Sequence, residues 1–274
     1  MSENIPKKYL GQHWLHDVPT LAAICDSADV QAGDVVLEIG PGLGTLTCQL
    51  LSRGATITAV EFDESLARDL SNRVLEDGPI GSIGGSDASA RPTLTVVQSD
   101  ILQFDLTTLP AGFKVVANIP YYLTSNLIRV LCESSNPFST AAILIQKEVA
   151  ERVVAEPGQM SLLSVSAQYY CQASLGVMVP AALFTPPPKV DSQVLVLQRR
   201  TQPLFADVDT KQFFRLVKAG FSQKRKTLLN SLSAGLDLPK DQTRTMLAAA
   251  GIAENTRAQA LSLDDWHALY QAAN

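Results

Sequence analysis

Short apolar runs alternate with amphipathic segments through the first two hundred residues. Asp34 to Ile39, Thr56 to Glu61, Leu94 to Val97, Phe113 to Asn118 and Thr140 to Ile145 are rich in valine and isoleucine. They are too short for core helices, so each is expected to be a buried strand. Helical segments are expected between them at Thr45 to Arg53, Glu64 to Glu76 and Thr124 to Glu133. That alternation predicts an α/β fold with a mostly parallel sheet and helices on both faces. Two further strands are expected at Ala173 to Val179 and Ser192 to Arg199. The connection between them is too short and too proline-rich for a crossover helix, which predicts an antiparallel pair at the sheet edge.

The pattern changes after Arg200. Thr201-Gln202-Pro203 reads as a linker, and helical periodicity follows at Phe213, Phe214, Val217 and Phe221, then at Leu228, Leu229 and Leu232. Ser262 is placed to cap a last helix carrying Trp266, Leu269 and Tyr270. Two domains are therefore expected, residues 1–200 and a small all-helical domain over 201–274. The Gly-, Ser- and Pro-rich stretch 77–92 predicts a surface loop.

Composition narrows the class. A hydrophobic share of 46% over 274 residues can fill a real core. No uninterrupted apolar run approaches the roughly twenty residues of a membrane span. Met1 to Lys8 carries no apolar stretch of a secretory signal, so a cytoplasmic protein is expected. Cys25, Cys48, Cys132 and Cys171 are scattered, which favours four buried thiols over zinc or disulfides. His13, His16 and His267 form no metal-ligand pattern, and no metal is expected. The net charge of −5 argues against a nucleic-acid partner in general. Residues 211–230 nevertheless hold Lys211, Arg215, Lys218, Lys224, Arg225 and Lys226 with no acid, a local field suited to RNA.

Candidate chemistry sits at the strand ends. Gly40, Gly42 and Gly44 fall where a strand turns into a helix, allowing a tight turn and close approach of a ligand. Glu61 closes the next strand, where a carboxylate can accept from both hydroxyls of a ribose. Asp100 follows the third strand and can accept from an adenine amino group, with Ile101 against the ring. Together these predict an adenosyl ligand; NAD and S-adenosylmethionine both carry that ribose. Asn118-Ile119-Pro120-Tyr121 then offers amide and carbonyl acceptors, a stiff turn and an aromatic face, a set suited to holding a planar base by its exocyclic amine.

Val36-Leu37-Glu38-Ile39-Gly40-Pro41-Gly42-Leu43-Gly44 resembles the S-adenosylmethionine loop of Rossmann-like methyltransferases. Asn118 to Leu123 resembles the amino-methylating motif of the ribosomal RNA adenine N6,N6-dimethyltransferases. Lys8 to Leu15, Phe184 to Ser192 and Phe221 to Asn230 are similar to further motifs of that family, the last to its bacterial KsgA (RsmA) branch. The family usually has Asn where this chain has His13, and often Phe at Trp14.

The resemblance implies a class I methyltransferase sheet with an antiparallel edge strand. It implies S-adenosylmethionine as methyl donor, held by His13, Leu15, Gly40, Gly42, Glu61, Asp100, Ile101 and Asn118. The catalytic set it implies is Asn118, Pro120, Tyr121 and Phe184, with Tyr121 and Phe184 around a flipped base. Lys189, Lys224, Arg225 and Lys226 are the implied RNA contacts. The implied reaction is dimethylation of two adjacent adenosines in the 3′-terminal hairpin of small-subunit ribosomal RNA, on a pre-30S particle, by a monomer. The alternative is an Erm-type enzyme that methylates large-subunit RNA and gives macrolide resistance. A non-catalytic assembly factor and an NAD dehydrogenase rank below these.

Overall fold

The computed structural model describes residues 6–7, 10–77 and 93–273. In chain order the elements are β1 (Trp14–Leu15), α1 (Val18–Ser27), β2 (Val35–Ile39), α2 (Thr45–Ser52), β3 (Thr56–Glu61), α3 (Glu64–Asp77), β4 (Leu94–Gln98), β5 (Lys114–Asn118), α4 (Thr124–Glu133), β6 (Thr140–Gln146), α5 (Lys147–Val153), α6 (Leu162–Tyr170), β7 (Cys171–Val179), β8 (Phe184–Thr185), β9 (Ser192–Arg199), α7 (Thr210–Phe221), α8 (Leu228–Leu236), α9 (Lys240–Ala249) and α10 (Leu263–Ala273). Residues 78–92, and with them almost all of the expected glycine- and serine-rich loop, lie outside the described residues.

Seven strands form one sheet in the order β4-β3-β2-β5-β6-β9-β7. The pairs β4–β3, β3–β2, β2–β5 and β5–β6 are parallel, and β9 is antiparallel to β6. The chain moves outward from β2 to β4, then returns to build β5 and β6 on the other side. That reversal beside β2 is where open α/β sheets leave a crevice at the carboxyl ends of their strands. In β2, β3, β5 and β6 the strand interiors are apolar on both faces, as buried parallel strands require: Val36, Leu37, Ile57, Ala59, Val115, Val116, Ile143 and Leu144 are at most 1% exposed. Strand β4, expected to be buried as well, has no buried residue, because it lies at the sheet edge.

A two-residue ribbon, β1 with β8, pairs Leu15 with Phe184 and Trp14 with Thr185. It ties the N-terminal segment to the loop before β9, joining residues so far apart in the chain that periodicity does not reveal the link. Helix α1 also lies where no element was expected. Asp17 caps it by accepting from the Thr20 amide at 3.0 Å, and Leu21, Ile24 and Cys25 are buried.

Contacts group residues 1–150 with 173–199 as one unit, and 151–172 with 200–274 as another. The expected division at residue 200 had placed 151–172 with the sheet. Within the second unit, α6 supplies Tyr169 and Tyr170 to an aromatic cluster. Tyr169 stacks on Phe213 at 5.1 Å and meets Phe214 edge-on at 5.3 Å. The amides of Gly158 and Met160 both donate to the Gln259 carbonyl. Ser262 caps α10 as expected: its hydroxyl accepts from the Asp265 amide at 3.0 Å, and the Asp265 carboxylate accepts from the Ser262 amide at 2.8 Å.

All four cysteines are thiols. Cys25, Cys132 and Cys171 are buried, whereas Cys48 is half-buried rather than buried as expected. Among the described residues no helix is long and apolar enough to cross a membrane.

Candidate active site

Parallel register sets the candidate residues side by side. Ile39 pairs with Val60 on one side and Ala117 on the other, and Glu61 pairs with Gln98. The carboxyl ends of four neighbouring strands therefore carry, in spatial order, Asp100, Glu61, the glycine loop and Asn118. A cavity of about 440 Å³ opens there, within the usual range for small-molecule sites. His13, Leu15, Gly40, Gly42, Glu61, Asp100, Ile101, Asn118, Pro120, Tyr121 and Phe184 all line it.

The glycine loop is left-handed at all three glycines, with φ +67° at Gly40, +57° at Gly42 and +88° at Gly44. At Gly44 a Cβ would also approach Leu70 Cδ1 to 2.9 Å and Val74 Cγ2 to 3.0 Å. A side chain there would push α2 off α3, so the glycine serves packing as well as the turn.

Glu61 is 7% exposed and already committed on both oxygens. Oε2 accepts from the Gly42 amide at 3.0 Å and Oε1 from the Asp63 amide at 2.9 Å. Each oxygen keeps lone-pair capacity for one more donor. Burial raises the Glu61 pKa, opposed by the amides of Asp63 and Gly42. Arg73 on α3 donates to the Gly42 carbonyl at 3.0 Å, so that Gly42 is gripped at both its amide and its carbonyl. Asp100 uses Oδ1 to accept from the Leu102 amide at 3.0 Å, which fixes the turn after β4.

Glu38, beneath the glycine loop, is fully buried, and neither its carboxylate oxygens nor the Thr47 hydroxyl has a hydrogen-bond partner among the described residues. Burial pushes its pKa up to about 8, against the lowering pull of the nearby Thr47 hydroxyl and with a further push from Glu61. Burial therefore favours the protonated, neutral form of this side chain. Asp63 is the opposite case. Burial raises its pKa, but hydrogen bonds from Lys7, Ser65 and the Leu66 amide outweigh that and hold it at about 2. The Lys7 ammonium sits 2.6 Å from its carboxylate.

On the other side of the cavity the Asn118 amide nitrogen donates to the His13 carbonyl at 3.5 Å. That orientation leaves Oδ1 as the accepting end. Tyr121 follows in a one-turn 3-10 helix over 121–123. Its hydroxyl bonds the Ser192 hydroxyl at 2.9 Å and its ring stacks beside His13, centroids 6.1 Å apart. His13 Nδ1 lies 2.7 Å from the Pro186 carbonyl and must donate to it, since that oxygen can only accept. Phe184 is 4% exposed, held by the β1–β8 ribbon.

The four candidate cations lie elsewhere. Lys189 is exposed in the loop before β9 and does not line the cavity. Lys224, Arg225 and Lys226 are exposed in the turn between α7 and α8 rather than on a helix. The lysine and arginine run follows Ser222 at the end of α7, and the next helix starts only at Leu228. Four contributors were missed by sequence reasoning. Phe62 and Tyr122 line the cavity with 58% and 63% exposure. Their positions beside Glu61 and Tyr121 were the available signal. Ser192 closed a recognised motif without a role, and Arg73 carries no local signal at all.

Nearly the full length of the chain, residues 3–274, matches the family pattern described as ribosomal RNA adenine dimethylase. The chain belongs to that family. Curated relatives named ribosomal RNA small subunit methyltransferase A include one from Lactobacillus delbrueckii subsp. bulgaricus, 40% identical over 97% of this chain and 90% of that protein. Another, from Dehalococcoides mccartyi (strain ATCC BAA-2266 / KCTC 15142 / 195), is 37% identical over 96% and 87%. Two solved structures are similar over 94% of this chain. A dimethyladenosine transferase from Plasmodium falciparum matches with a TM-score of 0.73, 25% identity and 96% of its length covered. The 23S rRNA methyltransferase ErmE matches with a TM-score of 0.72, 27% identity and 98% covered. As a ribosomal RNA adenine dimethylase, the protein is a methyltransferase acting on RNA adenine, and the NAD dehydrogenase reading falls away.

Proposed function

We propose that the protein transfers methyl groups from S-adenosylmethionine to N6 of two adjacent adenosines in the 3′-terminal hairpin of small-subunit ribosomal RNA. The observation that carries the reading is the cavity in which the glycine loop, Glu61 and Asp100 face Asn118 to Tyr121. The relatives at 37% and 40% identity are named for the small subunit, which supports that RNA over the large-subunit alternative represented by ErmE.

The residues present fit the donor. Glu61 would take the ribose hydroxyls, Asp100 and Ile101 the adenine, and Asn118 with the backbone at Gly40, Gly42, His13 and Leu15 the methionine end. When bound, S-adenosylmethionine supplies an electrophilic methyl on a positively charged sulfur. The protein's task is to present the nitrogen. The adenine amine is a poor nucleophile because its lone pair is delocalised into the ring. Asn118 Oδ1 and the Ile119 carbonyl accept its two hydrogens, which favours a geometry with the lone pair toward the donor. Tyr121 stacks on the extruded base and Phe184 covers the other face. Such positioning alone can supply much of the rate enhancement. The nitrogen becomes strongly acidic once methylated and sheds its proton to water, so no dedicated base is needed.

The exposed turn Lys224–Lys226 and Lys189 supply phosphate contacts, and residues 201–274 act as the RNA-binding part. The protein works as a cytoplasmic monomer on a pre-30S particle during subunit biogenesis.

The test uses purified protein, radiolabelled S-adenosylmethionine and unmodified ribosomal subunits. Label in N6,N6-dimethyladenosine from small subunits is the expected result. Label confined to large-subunit RNA, with macrolide resistance in an expressing host, would establish the alternative instead.

A further inference from the structure

We propose that Ser192 is a positioning residue for methyl transfer, acting through the Tyr121 hydroxyl to hold the Tyr121 ring in orientation against the purine. The inference rests on the function proposed above and adds to it a residue that does not itself line the cavity.

Tyr121 stands outside the sheet, on a single 3-10 turn after β5. Its backbone carbonyl is occupied by the Thr124 hydroxyl at 3.0 Å, which fixes the turn but not the ring. The ring swings on two torsions, and its far end is held by a hydrogen bond, hydroxyl to hydroxyl, at 2.9 Å. The anchor is well chosen. Ser192 is fully buried and opens β9, paired with Gln146 of β6. Its neighbour Asp191 is fixed twice: its carbonyl accepts from the Lys147 amide at 3.0 Å, and its carboxylate accepts from the Ala181 amide at 2.9 Å. The strand start therefore cannot follow the ring if the ring moves.

A hydroxyl at so dry a position is costly unless bonded, and the Tyr121 hydroxyl is its side-chain partner. His13 adds a second restraint. It stacks beside the Tyr121 ring and is itself tied to the Pro186 carbonyl at 2.7 Å. The ring is thus held at its rim by the sheet and along its side by the N-terminal segment. A base stacked on it inherits that orientation, and in-line attack is sensitive to displacements of about 1 Å.

The experiment compares wild type, Ser192→Ala, Tyr121→Phe and the double variant on unmodified small subunits with radiolabelled S-adenosylmethionine. Cofactor affinity is followed in parallel by calorimetry. Each single change is expected to lower kcat about tenfold while the cofactor Kd stays within about twofold. The double variant should be no slower than either single, because both changes delete the same bond. Ser192→Thr, which keeps the hydroxyl, should restore most of the rate. Losses that multiply in the double variant, or a wild-type kcat in Tyr121→Phe, would overturn the inference. Tyr121→Phe decides the matter alone if Ser192→Ala does not fold, since it leaves the buried strand intact. A wild-type protein that leaves small subunits unlabelled would instead sink the parent function, and this inference with it.

Discussion

The Gly42 amide donates to Glu61 Oε2 at 3.0 Å, joining the glycine loop to the carboxylate at the end of the neighbouring strand. With the Asp63 amide on Oε1 and Arg73 on the Gly42 carbonyl, the acid and the loop form one preset unit. The site is therefore shaped before any ligand arrives, and a ligand need not order it.

Glu61→Ala removes the acceptor of two backbone amides and, with it, the proposed ribose contact. Each charge-assisted hydrogen bond contributes roughly 1.5–3 kcal/mol. The Kd for S-adenosylmethionine is expected to rise about 100-fold by calorimetry. An unchanged Kd would take Glu61 out of the cofactor site.

Asn118→Ala leaves the glycine loop and Glu61 untouched. Its expected signature is a kcat lowered by about 100-fold or more, with the cofactor Kd changed only a few-fold. Equal losses in kcat and in cofactor affinity would mean that Asn118 serves only the methionine end of the donor and not the adenine amine.

Glu38 predicts a pH dependence. Its folded pKa of about 8 lies above the ordinary value of 4.5. Between those values the native state holds a proton that the unfolded chain releases, so this group costs stability increasingly as pH rises through that window. Glu38→Gln removes the penalty. Its gain over wild type should be small near the ordinary pKa of 4.5 and grow toward pH of about 8, on the order of a few kcal/mol at most. Denaturant titrations at the two pH values measure it. A gain that shrinks with rising pH would show that Glu38 is ionised in the native protein.

In the helical unit, a Cβ on Gly220 would clash with Cη2 of the fully buried Trp266. Gly220→Ala should destabilise the protein by about 1–3 kcal/mol through overpacking. A thermal melt equal to wild type would mean that Trp266 shifts freely.

Replacing Lys224, Arg225 and Lys226 with Ala should weaken RNA binding and flatten its dependence on salt. The slope of log K against log salt falls by roughly one for each phosphate that the turn no longer neutralises. Cofactor affinity should not change. An unaltered slope would remove this turn from the RNA interface.

Much of this was legible in the chain. Strand β3 and helix α4 fall on the expected residues, because valine- and isoleucine-rich runs and a strong 3.6-residue period leave little ambiguity. The acids at the ends of β3 and β4 were readable because parallel strands stack their carboxyl ends in register. The β1–β8 ribbon and the Arg73 grip on Gly42 were not, since both join distant residues through three-dimensional proximity alone. The placement of 151–172 escaped for a similar reason: the tyrosines of α6 find their aromatic partners beyond residue 200. The basic run was found, but its turn conformation was not, because lysine and arginine favour helices and nothing within the run breaks one.

The proposed function needs the donor's methyl group and the adenine amine to meet in one cavity, beside Asn118 and Tyr121. A crystal structure with S-adenosylmethionine or an unreactive analogue bound is the decisive measurement. The expected density has the ribose on Glu61, the adenine beside Asp100, and the transferable carbon next to Asn118. A donor bound with that carbon directed away from Asn118 to Tyr121 would refute the proposal.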